Sequence, residues 1–476
     1  MHSSPGTRGW FAVALLAGLG LRAFFLHHHA RFGGDTLLYS DLAHNMLANH
    51  IFGFTEEHGI RATLIRLPGY PLFMAACFIF FGTANYVAVL WVQVVMDLVT
   101  CALLSVLAGR LLGNRAAIAT VWLAALCPFT AHYSTIALAE SGCIFAVTLA
   151  FFVMERWMNA FRLNGRGLAW ASVCGCALVF GILLRPDQVL VAMAVVPVML
   201  WVGLRSGQQR QGSLLRRALP ALVVSLIIVL PLSLWAVRNW RVYHVFQPLA
   251  PRYAIDPGET NPDGFQRWYR TWAVEFKSTL DIYWPYDGST IDMKDLPPRA
   301  FDSPAQRAET AVLFAQYDDL TFSTPAIDDA FARIAAERVQ AHSLHYYVLM
   351  PVARELDMWL RPRTELMKLP MDFWNVRAHA GASITEFAYA ALNLAYLLLG
   401  IAGLIHWRKL RWSSQPALAF AMVAFIVLRC ILLLTLDNSE PRYTLECFPV
   451  VILLAGLFFA DKQLSSSAEP SSPSDR

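Results

Sequence analysis

The residues that could do chemistry sit at the edges of apolar blocks, and most are carboxylates, arginines and tyrosines. The first set is Arg31-Phe-Gly-Gly-Asp-Thr-Leu-Leu-Tyr-Ser-Asp41. Gly33–Gly34 reads as a turn. After it, Leu38, Leu42 and Met46, with Leu37 and Tyr39, predict an amphipathic helix lying on a membrane surface. Asp35 is then either the N-cap of that helix or a carboxylate held at the membrane surface as a general base. Asp41 falls on the solvated face. Glu140, in Leu138-Ala-Glu-Ser-Gly142, opens a later apolar block. The helix dipole favours a carboxylate there, while an ionisable group next to lipid is a functional candidate by default.

Four arginine motifs complete the set: Arg66-Leu-Pro-Gly-Tyr70-Pro, Arg185-Pro-Asp187, Arg238-Asn-Trp-Arg241 and Glu440-Pro-Arg442-Tyr443. Arginines and aromatics at span ends serve as interfacial anchors. Arg66, Arg185, Arg238 and Arg442 together also read as an anion site, because guanidinium matches phosphate geometry and keeps its charge. Adjacent His27–His29 point in different directions on a helix and suit packing better than a shared metal. The eight cysteines lie mostly inside apolar blocks and read as small buried hydrophobes, with neither a disulfide framework nor a zinc spacing.

The elements that must position these residues are membrane helices. The chain is 57% hydrophobic and 15% charged, against roughly 45–50% and 25% in soluble proteins. Its net charge of +4 is too small to suggest nucleic acid. The predicted fold class is an all-α polytopic membrane protein with about ten spans. The expected spans are 9–29, 84–109, 115–133, 138–155, 167–184, 187–204, 218–237, 384–405, 414–435 and 444–460. The first reads as a retained helix, not a cleaved signal, since no small-residue site follows it. Pro68–Gly82 is short and opens on prolines. Leaving it as a re-entrant or interfacial element puts Arg110/Arg115, Arg156/Arg162/Arg166, Arg205/Arg210/Arg216/Arg217 and Arg408/Lys409/Arg411 on the inner side, as the positive-inside rule requires. Residues 1–237 are then an N-terminal transmembrane catalytic module with a first external loop at 30–83. Residues 238–383 form an external segment, 384–461 the last membrane helices, and 462–476 a disordered cytoplasmic tail. Helical stretches are expected near 303–318 and 325–345, where Ile327, Phe331, Ile334, Ala335 and Val339 recur at helical spacing. There are no internal repeats.

With these motifs in hand, the chain resembles the GT-C membrane glycosyltransferases, in particular glycosyltransferase family 39 and the protein O-mannosyltransferase-like group, which includes bacterial lipopolysaccharide-modifying enzymes. The resemblance rests on Asp35 with Tyr39 and Ala43-His-Asn-Met-Leu47, on Arg66-Leu-Pro-Gly-Tyr-Pro-Leu72, and on Leu138-Ala-Glu-Ser141. It continues through Leu184-Arg-Pro-Asp187, Trp235-Ala-Val-Arg-Asn-Trp240 and Glu440-Pro-Arg-Tyr443. It implies transfer of a hexosyl or pentosyl unit, with inversion, from a polyprenyl-phosphate donor to a glycan, lipid or protein hydroxyl. The implied site faces the periplasmic side of a bacterial inner membrane. Asp35 looks like the acid-base carboxylate and Glu140 like a second catalytic acid. Tyr39, Arg66, Tyr70, Arg185, Asp187, Arg238, Arg442 and Tyr443 are the implied donor-binding residues. Two positions depart from the pattern: Thr36 stands where many relatives have a second acid, and Glu140 where several have Asp. No cofactor is implied beyond the lipid-linked sugar as substrate, and a divalent metal has no support in the residues. A ligase or polymerase of O-antigen type, and a transporter of lipid-linked sugar, are the competing readings. A transporter calls for deep ionisable groups and paired repeats; Asp97 is the clearest mid-span acid, and no repeat accompanies it.

Overall fold

The structure, a computed structural model, describes residues 5–30, 32–163, 167–205, 213–411 and 415–461. Arg31, Arg166, Arg210 and the tail 462–476 lie outside the described residues. The helices in chain order are α1 (Pro5–His29), α2 (Asp35–Asn49), α3 (Gly69–Phe81), α4 (Tyr86–Leu112), α5 (Asn114–Ala125), α6 (Pro128–Tyr133), α7 (Glu140–Leu163), α8 (Gly167–Leu184), α9 (Val189–Arg205) and α10 (Leu214–Tyr243). There follow α11 (Asp263–Arg270), the single turn α12 (Phe276–Ser278), α13 (Pro304–Asp318), α14 (Pro325–Ala341), α15 (Met350–Leu360), α16 (Ala380–Arg411), α17 (Pro416–Leu433), α18 (Arg442–Leu445) and α19 (Phe448–Leu457). A two-stranded antiparallel hairpin, β1 (Gly53–Glu56) and β2 (Gly59–Ala62), follows α2 and was not signalled by the sequence. The protein is an all-α polytopic membrane protein apart from this hairpin.

Among the described residues, eight helices are long and apolar enough to cross a membrane, against the ten expected. The two others are broken for visible reasons. The expected span 115–133 stops at Ala125, because Pro128 lacks the N–H that would continue the ladder. The carbonyl left open at the break is satisfied from α1: Arg22 Nη1 donates to Ala125 O at 2.8 Å, and its Nε donates to Asp97 of α4 at 2.7 Å. Asp97, read from sequence as a mid-span acid, thus neutralises a buried arginine that mends a helix end. The expected span 444–460 carries Pro449, and its helix α19 has only ten residues, all buried. A short apolar helix of this kind is a core element more often than a span.

The chain divides into two compact units. The first holds the residues up to Pro257, Ala395–Ile426 and those from Leu445, and so carries α1–α10 and α19. The second holds Gly258–Leu394 and Val427–Thr444, and so carries α11–α15, the first half of α16 and the end of α17. This second unit has a core of its own. Phe265, Trp268, Tyr269, Trp272, Tyr286, Phe314, Tyr317 and Phe331 pack together, joined by Ile327, Ile334 and Ala335 of α14 at the expected helical spacing. Ser303 and Thr324 cap α13 and α14 by accepting from Gln306 N and Ile327 N.

Candidate functional site

The first unit brings four sequence-distant motifs together around Tyr39. Gly34, at φ +54°, makes the turn that a side chain would strain, and α2 begins at Asp35 immediately after it. The N-cap is Gly34, with no side-chain cap, so Asp35 is not the cap of its own helix. Its carboxylate instead accepts from Arg66 Nη2 at 2.9 Å, and both side chains are about one-quarter exposed. The face of α2 formed by Thr36, Tyr39, Ser40 and Ala43 is buried, while Leu37 and Leu38 face outward. Thr36 Oγ1 donates to Ala137 O at 3.1 Å, tying the start of α2 to the buried coil that leads into α7. Asp41 is engaged too: it accepts from Thr55 N and Thr55 Oγ1, both at 2.7 Å, and so ties α2 to the hairpin.

Arg66 is held by its neighbours on the chain. The loop 62–66 runs from β2 toward α3 and is gripped by the end of α10 and the segment that follows it. Asp256, 3% exposed, accepts from Leu64 N at 2.8 Å and from Arg61 Nη1 at 3.0 Å. Arg238 donates to Thr63 O at 2.7 Å and to Phe52 O at 2.8 Å, and its guanidinium lies over the Trp235 ring. Tyr243 donates to Ala62 O. Two of the three Arg238 nitrogens are therefore spent on backbone carbonyls, one in the loop that carries Arg66 and one just before β1. Asp256 was not signalled by the sequence, since a single Asp before Pro257 looks like turn chemistry.

Gly69, at the start of α3, lets that helix touch α8. A Cβ there would meet Leu183 C at 2.4 Å and Leu183 O at 2.5 Å. This contact brings Arg66-Leu-Pro-Gly against Leu184-Arg185. Tyr70, fully buried, packs edge-on to Tyr39 with ring centroids 4.8 Å apart, and its hydroxyl donates to Gln93 Oε1 at 2.6 Å. Gln93 in turn donates to Ile136 O at 2.6 Å, which fixes the coil before α7. Tyr70 is thus part of the floor, with its polar end already used.

Above that floor, Arg185 gathers three carboxylates. Its Nη1 lies 2.9 Å from Glu140 Oε1, its Nη2 3.1 Å from Asp187 Oδ2, and its Nε 3.2 Å from Glu446 Oε1. Glu446 is fully buried and also accepts from Gln188. Among the described residues, this cluster sets three carboxyl groups around one guanidinium, so Arg185 orders acids here. Glu446 was missed by the motif reading, although an acid inside an expected apolar span is itself a signal. Tyr39 links the two ion-pair groups: the charges of Arg66, Asp35, Glu140 and Arg185 all act on its hydroxyl. Burial pushes that hydroxyl up to about 12, with Arg66 pulling the other way. It is therefore a neutral hydrogen-bonding group at neutral pH.

Arg442 and Tyr443 belong to the second unit. There Arg442 pairs with Glu440, the Tyr443 hydroxyl donates to Glu440 Oε1 at 2.7 Å, and buried Arg429 donates to Tyr443 O at 2.6 and 2.8 Å. Among the described residues, no group of three or more His, Cys, Asp or Glu is arranged to hold a metal ion.

Residues 66–235 match the family model described as dolichyl-phosphate-mannose-protein mannosyltransferase. That segment contains Arg66, Gly69, Glu140, Arg185 and Asp187. No curated protein sequence matches the chain significantly. Among solved structures, the archaeal oligosaccharyltransferase AglB from Archaeoglobus fulgidus, in complex with an inhibitory peptide and a dolichol-phosphate, superposes with a TM-score of 0.51 at 14% identity. The match covers 95% of this chain and 50% of that one. The same organism's enzyme in complex with Zn and sulfate gives 0.50 at 16% identity, over 94% and 48%. ArnT from Cupriavidus metallidurans bound to undecaprenyl phosphate gives only 0.39 at 16% identity, over 95% and 78%. The chain spans about half the length of the oligosaccharyltransferase structures it matches. At such identities the likeness is one of fold. By that fold, and by the family match over residues 66–235, the chain resembles the GT-C superfamily of membrane glycosyltransferases.

Proposed function

We propose that the chain moves a single hexosyl or pentosyl unit from a polyprenyl-phosphate donor to a hydroxyl of a glycan, lipid or protein. In this reading the transfer takes place on the outer face of a bacterial inner membrane, with inversion. The observation that carries the reading is Asp35. It is a part-exposed carboxylate at the first turn of α2, paired with the Arg66 guanidinium at 2.9 Å and backed by a buried acid–arginine cluster.

Asp35 takes the proton from the acceptor hydroxyl. The acceptor oxygen attacks the anomeric carbon from the face opposite the phosphate, the sugar–phosphate bond breaks, and polyprenyl phosphate leaves with the electron pair. Arg66 is the more exposed of the two site arginines, and its charge meets the leaving phosphate. As it turns toward phosphate it loosens its hold on Asp35, so donor arrival itself frees the base. Glu140, Asp187 and Arg185 hold the ends of α7 and α8 in register and offer carboxylate acceptors to sugar hydroxyls. Tyr39 donates from between the two groups. Tyr70 and Arg238 act from behind as floor and loop clamp.

Turnover in reconstituted vesicles supplied with polyprenyl-phosphate sugars tests the proposal. Asp35→Asn should lower transfer by about 100-fold or more while donor binding persists. Full turnover in that variant refutes the base assignment, and the absence of turnover in the wild type with any such donor refutes the reaction class. Mass spectrometry of the product identifies the sugar and the acceptor.

A further inference from the structure

The second unit contains a helix turned inside out. In α14 the pattern is ordinary: Ile327, Phe331, Ile334 and Ala335 are buried, and Asp329, Arg333, Glu337 and Gln340 are exposed. In α15 and the π-helical turn His345–Leu349 that runs into it, the pattern is reversed. Leu344, Val348, Val352, Leu356 and Leu360 recur every fourth residue and are each 43–68% exposed, with Tyr347 and Leu349 beside them. From 344 to 360, His345 is the only exposed residue that is not a large hydrophobe. Arg354 and Asp357 face the other way, and Glu355 is part-buried at the edge of the stripe. Arg354 is 3% exposed and donates to Arg270 O at 2.9 Å and Ala273 O at 3.3 Å, while the Asp357 side chain is only 14% exposed.

Residues four apart drift by about 40° around an α-helix. The wider π turn winds back part of that drift and keeps the five apolar residues on one face. A helix at a water surface carries its charges outward, and so long an apolar stripe is a contact surface.

Within the same unit, the C-terminal end of α15 is fastened to a membrane span. Asn393 donates to Trp359 O at 2.7 Å and to Arg361 O at 3.4 Å. Asn393 lies on α16, whose apolar span Ala380–Leu410 has 31 residues. That length is about 46 Å, some 15 Å more than the roughly 30 Å hydrocarbon core. Asn393 comes 13 residues after Ala380, or about 20 Å along the helix. With the core set at the Leu410 end of the span, its other boundary falls about 15 Å from Ala380, within about 5 Å of this joint. On the same helix, Leu394, next to the joint, is an exposed apolar residue, so the stripe on α15 ends at the level where α16 presents apolar side chains outward.

We propose that the helix 344–360 lies in the headgroup–acyl boundary of the bilayer crossed by α16, with its Leu/Val face in the acyl chains and Arg354 turned into the protein. The second unit then meets the membrane through this helix as well as through the parts of α16 and α17 that it holds. The occupant of the stripe is phospholipid, and Tyr347 and Trp359 are aromatic residues of the kind that collect at that depth.

Photocrosslinking of the full-length chain in nanodiscs of defined phospholipid tests this and needs no transfer activity. p-Benzoyl-phenylalanine is placed singly at Val352 and Leu356, at Gln340 on the solvated face of α14, and at Leu398 on the exposed face of α16. The expected result is phospholipid adducts at Val352 and Leu356 in yield comparable with Leu398, and none at Gln340. Two results would overturn the proposal: lipid adducts at Leu398 without any at Val352 and Leu356, or a dimer of the chain as the main product from α15. Because all four side chains are on exposed faces, loss of folding does not confound the comparison, and the Leu398 adduct certifies each preparation.

Discussion

Replacing Glu446 by Gln should cost far less stability than replacing Arg185 by Gln, although both residues sit in the same buried cluster. Arg185 meets Glu140, Asp187 and Glu446 at 2.9, 3.1 and 3.2 Å. With charge centres roughly 4 Å apart and an effective dielectric near 20, each attraction is worth ~4 kcal/mol. Two carboxylates on one guanidinium lie roughly 6 Å apart, so each repulsion is ~3 kcal/mol on the same scale. Glu446→Gln forfeits one attraction and relieves two repulsions, a net change of no more than ~2 kcal/mol, while its carbonyl still accepts from Gln188. Arg185→Gln removes all three attractions and leaves three acids facing one another, at a cost of at least ~3–5 kcal/mol, the range for a broken buried pair. Reversible unfolding in mixed micelles, followed by tryptophan fluorescence, reads the difference. Equal losses in the two variants would refute the idea that Arg185 orders the three acids around it.

Gly69→Ala should destabilise the first unit by about 1–3 kcal/mol, the usual cost of overpacking, because the new methyl meets the Leu183 backbone at 2.4–2.5 Å. It should lower transfer along with stability, whereas Gly381→Ala, with open space around it, should change neither in the same micelle unfolding and vesicle turnover assays. Arg22→Leu alone leaves Asp97 buried without its guanidinium and should cost ~3–5 kcal/mol. The double change Arg22→Leu with Asp97→Leu should recover part of this but remain ~1–3 kcal/mol below wild type, since Ala125 O loses its donor. Complete recovery in the double variant, by the same unfolding assay, would show that the arginine does not mend the break between α5 and α6.

The candidate site was legible in the sequence where chemistry and position coincided. Asp35, Tyr39, Arg66, Glu140, Arg185 and Asp187 stand out as polar residues at the ends of apolar blocks, and the structure brings these six together in one unit. Residue type says less about which atoms are already spent. Arg238 and Tyr70 have the same credentials as Arg66 and Tyr39, yet Arg238 holds backbone carbonyls and Tyr70 holds Gln93. Asp256 and Glu446, which carry no motif, position the loop before Arg66 and the Arg185 cluster.

The sequence by itself determined that the protein is a polytopic helical membrane protein, because runs of about 20 apolar residues have no other stable place. It also determined which helices of the second unit present a core face, since period 3.6 is written in Ile327, Phe331 and Ile334. Only the tertiary structure decided that two of the ten apolar blocks are broken into shorter helices and that Asp97 answers Arg22. It alone decided that the apolar face of α15 points outward. Hydropathy is a property of a segment, whereas a hydrogen bond to a stranded carbonyl, or the side on which a charge finds its partner, depends on chain brought from 75 to 258 residues away.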